Sequence, residues 1–299
     1  MRHRLEYAVV WSVVRALGAL PRPLARACAI SIAALVYVLH PRLRHVGVRN
    51  LALALPEKSK AERRRILRKL YSHLGRQLAE FCLFPKYTKE NVAHVIIYDG
   101  FENFESAAAR GKGVLFLTAH LGAWELSSFF HALEGHSMHI VARGLDNPYV
   151  DRLVTRYRAL HGNQIFDKDD YARALLSALR NGETVGILMD TNMTPPQGTF
   201  VDFFGIPACT ASGLARVALH TDAAVLPGFA VWDPLLRKYR LHMGKPLDLI
   251  RTADDEADVV ANTAMFNRVL ESYIRQYPDQ WLWVHRRWKT RPQGQPSLY

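Results

Sequence analysis

Two styles of hydrophobic patterning divide the chain. Over the first forty residues the apolar runs are long and nearly free of charge. Tyr7 to Val14 is interrupted only by Ser12, Ala16 to Leu20 resumes after Arg15, and Ala27 to His40 follows Arg26. Pro21, Arg22 and Pro23 break the middle. Each run falls short of the roughly 20 apolar residues that a simple spanning helix needs. The Pro-Arg-Pro break also suits poorly the small-x-small cleavage site of a secretory signal. Basic residues flank both ends, Arg2, His3 and Arg4 before and Arg42, Arg44 and Arg49 after. The positive-inside rule puts both flanks in the cytoplasm, as for a shallow hairpin or an in-plane anchor. A single tilted span and a pair of buried core helices are the competing readings.

Beyond residue 40 the pattern changes. His40 to Arg49 reads as a linker. Ser59-Lys60-Ala61-Glu62 reads as a capping box, and Ile66, Leu67, Leu70, Leu74, Leu78 and Phe81 follow at helical spacing. From about residue 95 short β-rich runs alternate with amphipathic stretches. Strands are expected at Val95 to Tyr98, Val114 to Thr118, Met138 to Val141, Thr184 to Met189 and Ala223 to Val231. Helices are expected at Leu126 to Leu133, from Asn147-Pro148 to about Leu160, and at Tyr171 to Arg180, Ala211 to His220 and Val259 to Tyr277. Such alternation predicts an α/β fold, with a largely parallel central sheet flanked by helices and an N-terminal membrane-associated helical segment. The expected division is an anchor over 1–40 and a catalytic domain over 41–299. The latter has a helical lead-in over about 41–90 and an α/β core over about 91–299.

Composition narrows the function. The 299 residues are 49% apolar and 22% charged, which excludes disordered and polytopic membrane classes. Thirty-nine Lys and Arg against 27 Asp and Glu leave a formal charge of +12, so an anionic partner is expected. No nucleic-acid recognition module is recognisable, and the apolar N-terminus favours an anionic membrane surface instead. Arg63, Arg64, Arg65, Arg68 and Lys69 crowd a helix start, where positive charge is disfavoured. They read either as a dock for an acidic partner or as a solvated face. Three scattered cysteines, Cys28, Cys82 and Cys209, form no disulfide framework and indicate a reducing compartment.

The candidate chemistry centres on Thr118-Ala119-His120-Leu121-Gly122-Ala123-Trp124-Glu125. His120 ends a buried strand, where α/β sheets set their ligand sites. Glu125 stands five residues on, about 140° round a continuous helix, so a turn at Gly122 is needed for the carboxylate to reach the imidazole. A carboxylate on one ring nitrogen fixes the tautomer and leaves the other nitrogen to accept a proton from a hydroxyl. A structural histidine at a sheet end satisfies the same four-residue spacing. There is no Gly-x-Ser-x-Gly elbow and no P-loop. His131, His136 and His139 match no metal pattern, and neither metal nor cofactor is expected.

Several further blocks accompany His120 and Glu125: Asn50-Leu51 and the Pro56-Glu57-Lys58-Ser59 helix start, Arg143-Gly144-Leu145-Asp146-Asn147-Pro148, Thr155-Arg156-Tyr157-Arg158, Met189-Asp190, Gly198 to Gly205 and Trp283 to Lys289. With them, nearly the whole chain resembles the bacterial lipid A biosynthesis (late) acyltransferases, a branch of the glycerolipid and lysophospholipid acyltransferase superfamily. The resemblance implies transfer of a fatty acyl chain from a thioester carrier to a hydroxyl of a membrane glycolipid, at the cytoplasmic face of the inner membrane. Acyl carrier protein is the usual donor and acyl-CoA the alternative. It implies His120 as general base, Glu125 as its orienting partner, and Arg158 and Asp190 as functional residues. In this light Arg158 would hold an oxyanion or a phosphate, and Asp190 would hold Arg158 or a sugar hydroxyl, or cap the next loop. Arg143, Asn147 and Arg156 would bind substrate. Ala123 and Gly144 stand where close relatives often carry Asn and Pro. Another lipid acceptor, or a non-catalytic role in binding anionic lipid, remains as the alternative. Phe200, Phe203 and Phe204 read as an acyl-tunnel wall or as core. Trp281, Trp283 and Trp288 with Arg286, Arg287 and Lys289 read as a membrane interface or as core.

Overall fold

A computed structural model describes residues 1–167 and 171–299. Pro21 separates α1 (Arg2–Ala19) from α2 (Arg22–Leu39). The expected linker is instead helical: α3 (Pro41–Ala54) opens on a proline and buries Val46, Gly47, Asn50, Leu51 and Ala54 on one face. Its helical periodicity was masked by the basic residues on its outer face. The capping box forms as expected and opens α4 (Lys60–Leu83): Glu62 N–H donates to Ser59 Oγ, and Ser59 N–H to the Glu62 carboxylate. α2 lies antiparallel along α4. At the crossing a side chain on Gly75 would come within 2.6 Å of Ile30 Cα. At one end the fully buried Glu80 carboxylate pairs with Arg22 and Arg26 of α2 and accepts from Tyr87; at the other, Tyr37 packs edge-on to Tyr71.

The remaining elements are α5 (Lys89–Val92), β1 (Ile96–Asp99), α6 (Phe101–Ala108), β2 (Val114–Thr118), α7 (Trp124–Leu133) and β3 (His139–Ala142). They continue with α8 (Pro148–Arg158), β4 (Gln164–Asp167), α9 (Tyr171–Arg180), β5 (Thr184–Leu188), β6 (Gly198–Phe203) and β7 (Ile206–Ala211). α10 (Gly213–Thr221), β8 (Ala224–Asp233), β9 (Lys238–Met243) and α11 (Asp255–Gln276) complete the chain. The main sheet has the order β1-β9-β8-β2-β5-β3-β4, while β6 and β7 form a separate antiparallel pair. Every pairing in the main sheet is parallel except β8–β9. This is the expected largely parallel α/β architecture.

β2 is buried on both faces, as its unbroken apolar run requires. Successive side chains of a strand point to opposite faces. Val114 and Phe116 pack into the core of α4, α6 and α7, while Leu115 and Leu117 pack into that of α9, α10 and α11. Phe203 and Phe204 belong to the second core and meet Trp281, Trp283 and Trp288 there. Those three tryptophans and Arg287 are buried. The aromatic C-terminus is therefore core, with the guanidinium of Arg287 donating to Cys209 O and Thr210 Oγ1.

Candidate active site

Strand register assembles the site. β2 and β5 run parallel with Thr118 opposite Leu188, so the second residue beyond each strand, His120 and Asp190, emerges at the same sheet edge. Asp190 is almost wholly buried and takes three donors. His120 Nδ1–H donates to Oδ1 at 2.8 Å, the His120 backbone N–H to Oδ2 at 2.9 Å, and Trp281 Nε1–H to Oδ2 at 2.8 Å. This arrangement fixes the Nδ1–H tautomer of the neutral ring and leaves the Nε2 lone pair available. Among the described residues His120 Nε2 has no hydrogen-bond partner, and its ring lies edge-on to Trp124 at 5.1 Å.

Burial disfavours the charged imidazole. The Asp190 charge and hydrogen bond, with a further contribution from Glu125, outweigh burial and raise the His120 pKa above its ordinary value. Burial would likewise raise the Asp190 carboxyl. The His120 charge, then the His120 and Trp281 hydrogen bonds, bring it well below the ordinary carboxylate range instead.

The turn between His120 and α7 is built on glycine. Gly122 has φ +66°, and a Cβ there would sit 2.1 Å from Ala230 O. Gly122 N–H donates to Gln280 O and Ala123 N–H to Ala230 O, so the turn is pinned to β8 and to the C-terminal segment. α7 then begins at Trp124, and Glu125 stands in its first turn.

Glu125 does not make the hydrogen bond expected of it. Its carboxylate forms a bidentate pair with Arg158, whose Nε donates to Oε2 at 2.9 Å and Nη2 to Oε1 at 2.6 Å. The carboxylate that orients His120 is Asp190, and Asp190 holds neither Arg158 nor a loop cap. The physical reason is direction: α7 turns Glu125 toward the C-terminal end of α8, while the register of β2 and β5 leaves Asp190 beneath the imidazole. Arg158 keeps Nη1 free of the pair.

The other expected site residues separate. Arg143 is exposed and, among the described residues, pairs only with Asp146, at 3.4 Å. Arg156 is exposed on α8. Asn147 is buried and structural: its Oδ1 accepts from Tyr149 N and Val150 N to cap α8, and its Nδ2 donates to His3 O and Glu6 of α1. Sequence reasoning missed Trp281 as a partner of Asp190. It also missed His285, whose Nε2 accepts from Asn192 N–H and so anchors the loop after Asp190. The signal was the Trp281-Leu282-Trp283 triplet, whose alternation marks an inward-facing edge.

A narrow, mainly apolar pocket opens beside the Glu125–Arg158 pair and Trp124, and runs between α7 and the sheet. It encloses about 620 Å³, its open mouth included. Thr118, Leu188, Ala142 and Gly228 lie near the strand ends, and Phe116, Gly186 and His131 lie deeper. His131 lies six helical steps beyond Glu125 on α7, which gives a depth of about 9 Å at 1.5 Å per residue. Phe200, Phe203 and Phe204 do not line it.

Residues 2–290 match the family model of bacterial lipid A biosynthesis acyltransferases. The chain is 29% identical to the lipid A biosynthesis lauroyltransferase of Escherichia coli K12, over 99% of this chain and 94% of that protein. It is 26% identical to the palmitoleoyltransferase of the same organism, over 99% and 90%, and 25% identical to the myristoyltransferase, over 84% and 76%.

Proposed function

The chain belongs to the bacterial lipid A biosynthesis acyltransferase family, and from that premise we propose that it moves a fatty acyl chain from acyl carrier protein to a hydroxyl of a lipid A precursor with His120 as general base. The observation that carries this reading is the imidazole held by Asp190 with Nε2 open. Nε2 takes the acceptor hydroxyl proton as the oxygen attacks the thioester carbonyl carbon. The tetrahedral intermediate collapses, the C–S bond breaks, and the departing thiolate takes the proton back from the imidazolium. Arg158, locked in place by Glu125, is the fixed positive charge for the developing oxyanion. Incubating purified protein with labelled acyl carrier protein and a panel of lipid acceptors tests the assignment. Product on a lipid A precursor supports it, and product only on a phospholipid or aminolipid replaces the acceptor.

The apolar pocket suits the acyl chain. Gly186 leaves its deeper part without a side chain on β5, and a Cβ there would meet only the flexible Met138 Sδ, at 3.3 Å. Gly186→Val is therefore expected to fold and to shift the preferred acyl length downward. Competition between acyl donors of different lengths reads that shift directly.

The α4 cations suit an acidic carrier protein as donor. Arg63 is bound to the Leu55 and Pro56 carbonyls, and Lys69 faces Asp279 at 3.6 Å. Arg64, Arg65 and Arg68 remain exposed. Asp279 adjoins Gln280, which holds the Gly122 turn, so Lys69 places this part of α4 beside the catalytic edge. Reversing all three to glutamate is expected to raise the Michaelis constant for the carrier-borne donor and spare a carrier-free thioester without charged groups; an equal effect on both removes the docking role.

Attachment to the cytoplasmic face of the inner membrane rests on α1 and α2. Leu5, Val9 and Trp11 of α1 and Leu24, Leu35, Val38 and Leu39 of α2 are exposed large apolar residues. α2 is 18 residues long and apolar enough to cross a bilayer. Its contacts with the charged helix α4 at both ends favour an in-plane anchor over a span.

A further inference from the structure

The β8–β9 hairpin carries an apolar tip that the catalytic reading does not use. Its last pair is Asp233 opposite Lys238, and the loop between is Pro234-Leu235-Leu236-Arg237. Leu235 is 92% exposed and Leu236 45% exposed. The tip is built to hold them out: Asp233 Oδ1 accepts from both Leu235 N–H and Leu236 N–H, and Arg237 closes the turn at φ +54°. Isolated exposed leucines are ordinary. Two adjacent ones on a turn fixed by side-chain hydrogen bonds are not.

Position and charge point to the occupant. β8 is parallel to β2, so its far end rises at the edge that carries His120. Gln280, whose carbonyl holds Gly122, also exchanges two hydrogen bonds with the Trp232 backbone at the hairpin base. The guanidiniums of Arg26 on α2 and Arg76 on α4 both stack on the Trp232 ring, at 4.7 and 5.1 Å. The hairpin base is thus continuous with the helix whose outer face carries Leu24 and Leu35. Arg237 and Lys238 follow the leucines directly and form no ion pair among the described residues. Apolar tips backed by cations partition into the boundary of an anionic bilayer, with leucine in the acyl region and the cations at headgroup depth.

We propose that Leu235 and Leu236 form a second membrane contact, which inserts into an anionic lipid surface beside the catalytic edge. The proposal rests on the in-plane attachment described above and adds a contact to it. With the α1–α2 face on one side and this tip on another, the edge bearing His120 is pressed toward the headgroups.

The test is cosedimentation with vesicles of phosphatidylethanolamine and phosphatidylglycerol. Leu235→Asp/Leu236→Asp is expected to weaken binding at least tenfold, and neutral phosphatidylcholine vesicles are expected to bind the wild type less. Both side chains are solvent-exposed, so folding should be unaffected, as a melting curve checks. In a Cys28→Ser background, Leu235→Cys labelled with an environment-sensitive dye should blue-shift on adding vesicles, because Cys82 and Cys209 are buried. Wild-type binding by the double variant, or a dye that does not respond, overturns the proposal. Leu35→Asp/Val38→Asp separates the two readings. If it detaches while the hairpin variant binds normally, only the hairpin role fails. If the wild type itself does not bind vesicles, the attachment fails with it. A lipid-free dimer that the hairpin variant converts to monomer assigns the tip to a second copy and also overturns the proposal.

Discussion

His120→Ala is expected to lower acyl transfer by about 10²- to 10⁴-fold, the range for loss of a positioned general base, while the protein still folds. The ring is partly exposed and its Asp190 contact includes a backbone N–H that alanine keeps. The loss should fall on kcat and kcat/KM together, because proton removal belongs to the transition state rather than to binding. Initial rates with a carrier-borne donor, set beside the melting temperature, make the check. Near-wild-type turnover would falsify the assignment of His120 as the base.

Asp190→Asn should cost about as much, for a different reason. The carboxylate accepts three N–H donors, whereas an amide turns an NH2 toward one of them. The Nδ1–H tautomer is then no longer imposed, and a buried donor loses its partner. The pH profile separates this from simple disorder. The base acts as the neutral ring, so the wild-type rate falls as pH drops through the His120 pKa, which lies above its ordinary value of 6.5. Without Asp190 the burial effect remains and the larger raising influences are gone, leaving only that of Glu125. The acid limb of kcat/KM in the residual activity is expected to move to lower pH. Stability follows the same linkage. The depressed Asp190 carboxyl contributes stability that is present above its ordinary value of 3.8 and lost as pH falls through its lower folded value. Acid sensitivity in that window should diminish in the Asn variant. An acid limb that does not move separates Asp190 from the base.

The elements that place the site were legible wherever burial wrote a simple pattern. β2 reads as five consecutive apolar or β-branched residues, and α4 announces itself by its cap. β9 was not read, although Tyr239, Leu241 and Met243 alternate inward, because Lys238, Arg240 and His242 between them give it a loop-like composition. β6 and β7 were missed for a related reason: Gly198, Gly205 and Pro207 bound a hairpin with turn residues. The His120 position followed from strand-end logic. Its partner did not, because chain proximity favoured Glu125 whereas strand register favours Asp190. Which parallel strands are neighbours is a tertiary fact, and no local spacing encodes it. Arg158 as the mate of Glu125 was hidden in the same way.

The hydrogen bonds that complete the base join residues far apart in the chain: His120 meets Asp190 across 70 positions, and Asp190 meets Trp281 across 91. Contacts of such long range form late, because the intervening chain must be ordered before they can close. On refolding, helix signal should therefore recover ahead of turnover, and the burial of Trp281 together with it. During synthesis, a nascent chain that has already released His120 gains a competent imidazole only once its final segment, with Trp281, has left the ribosome.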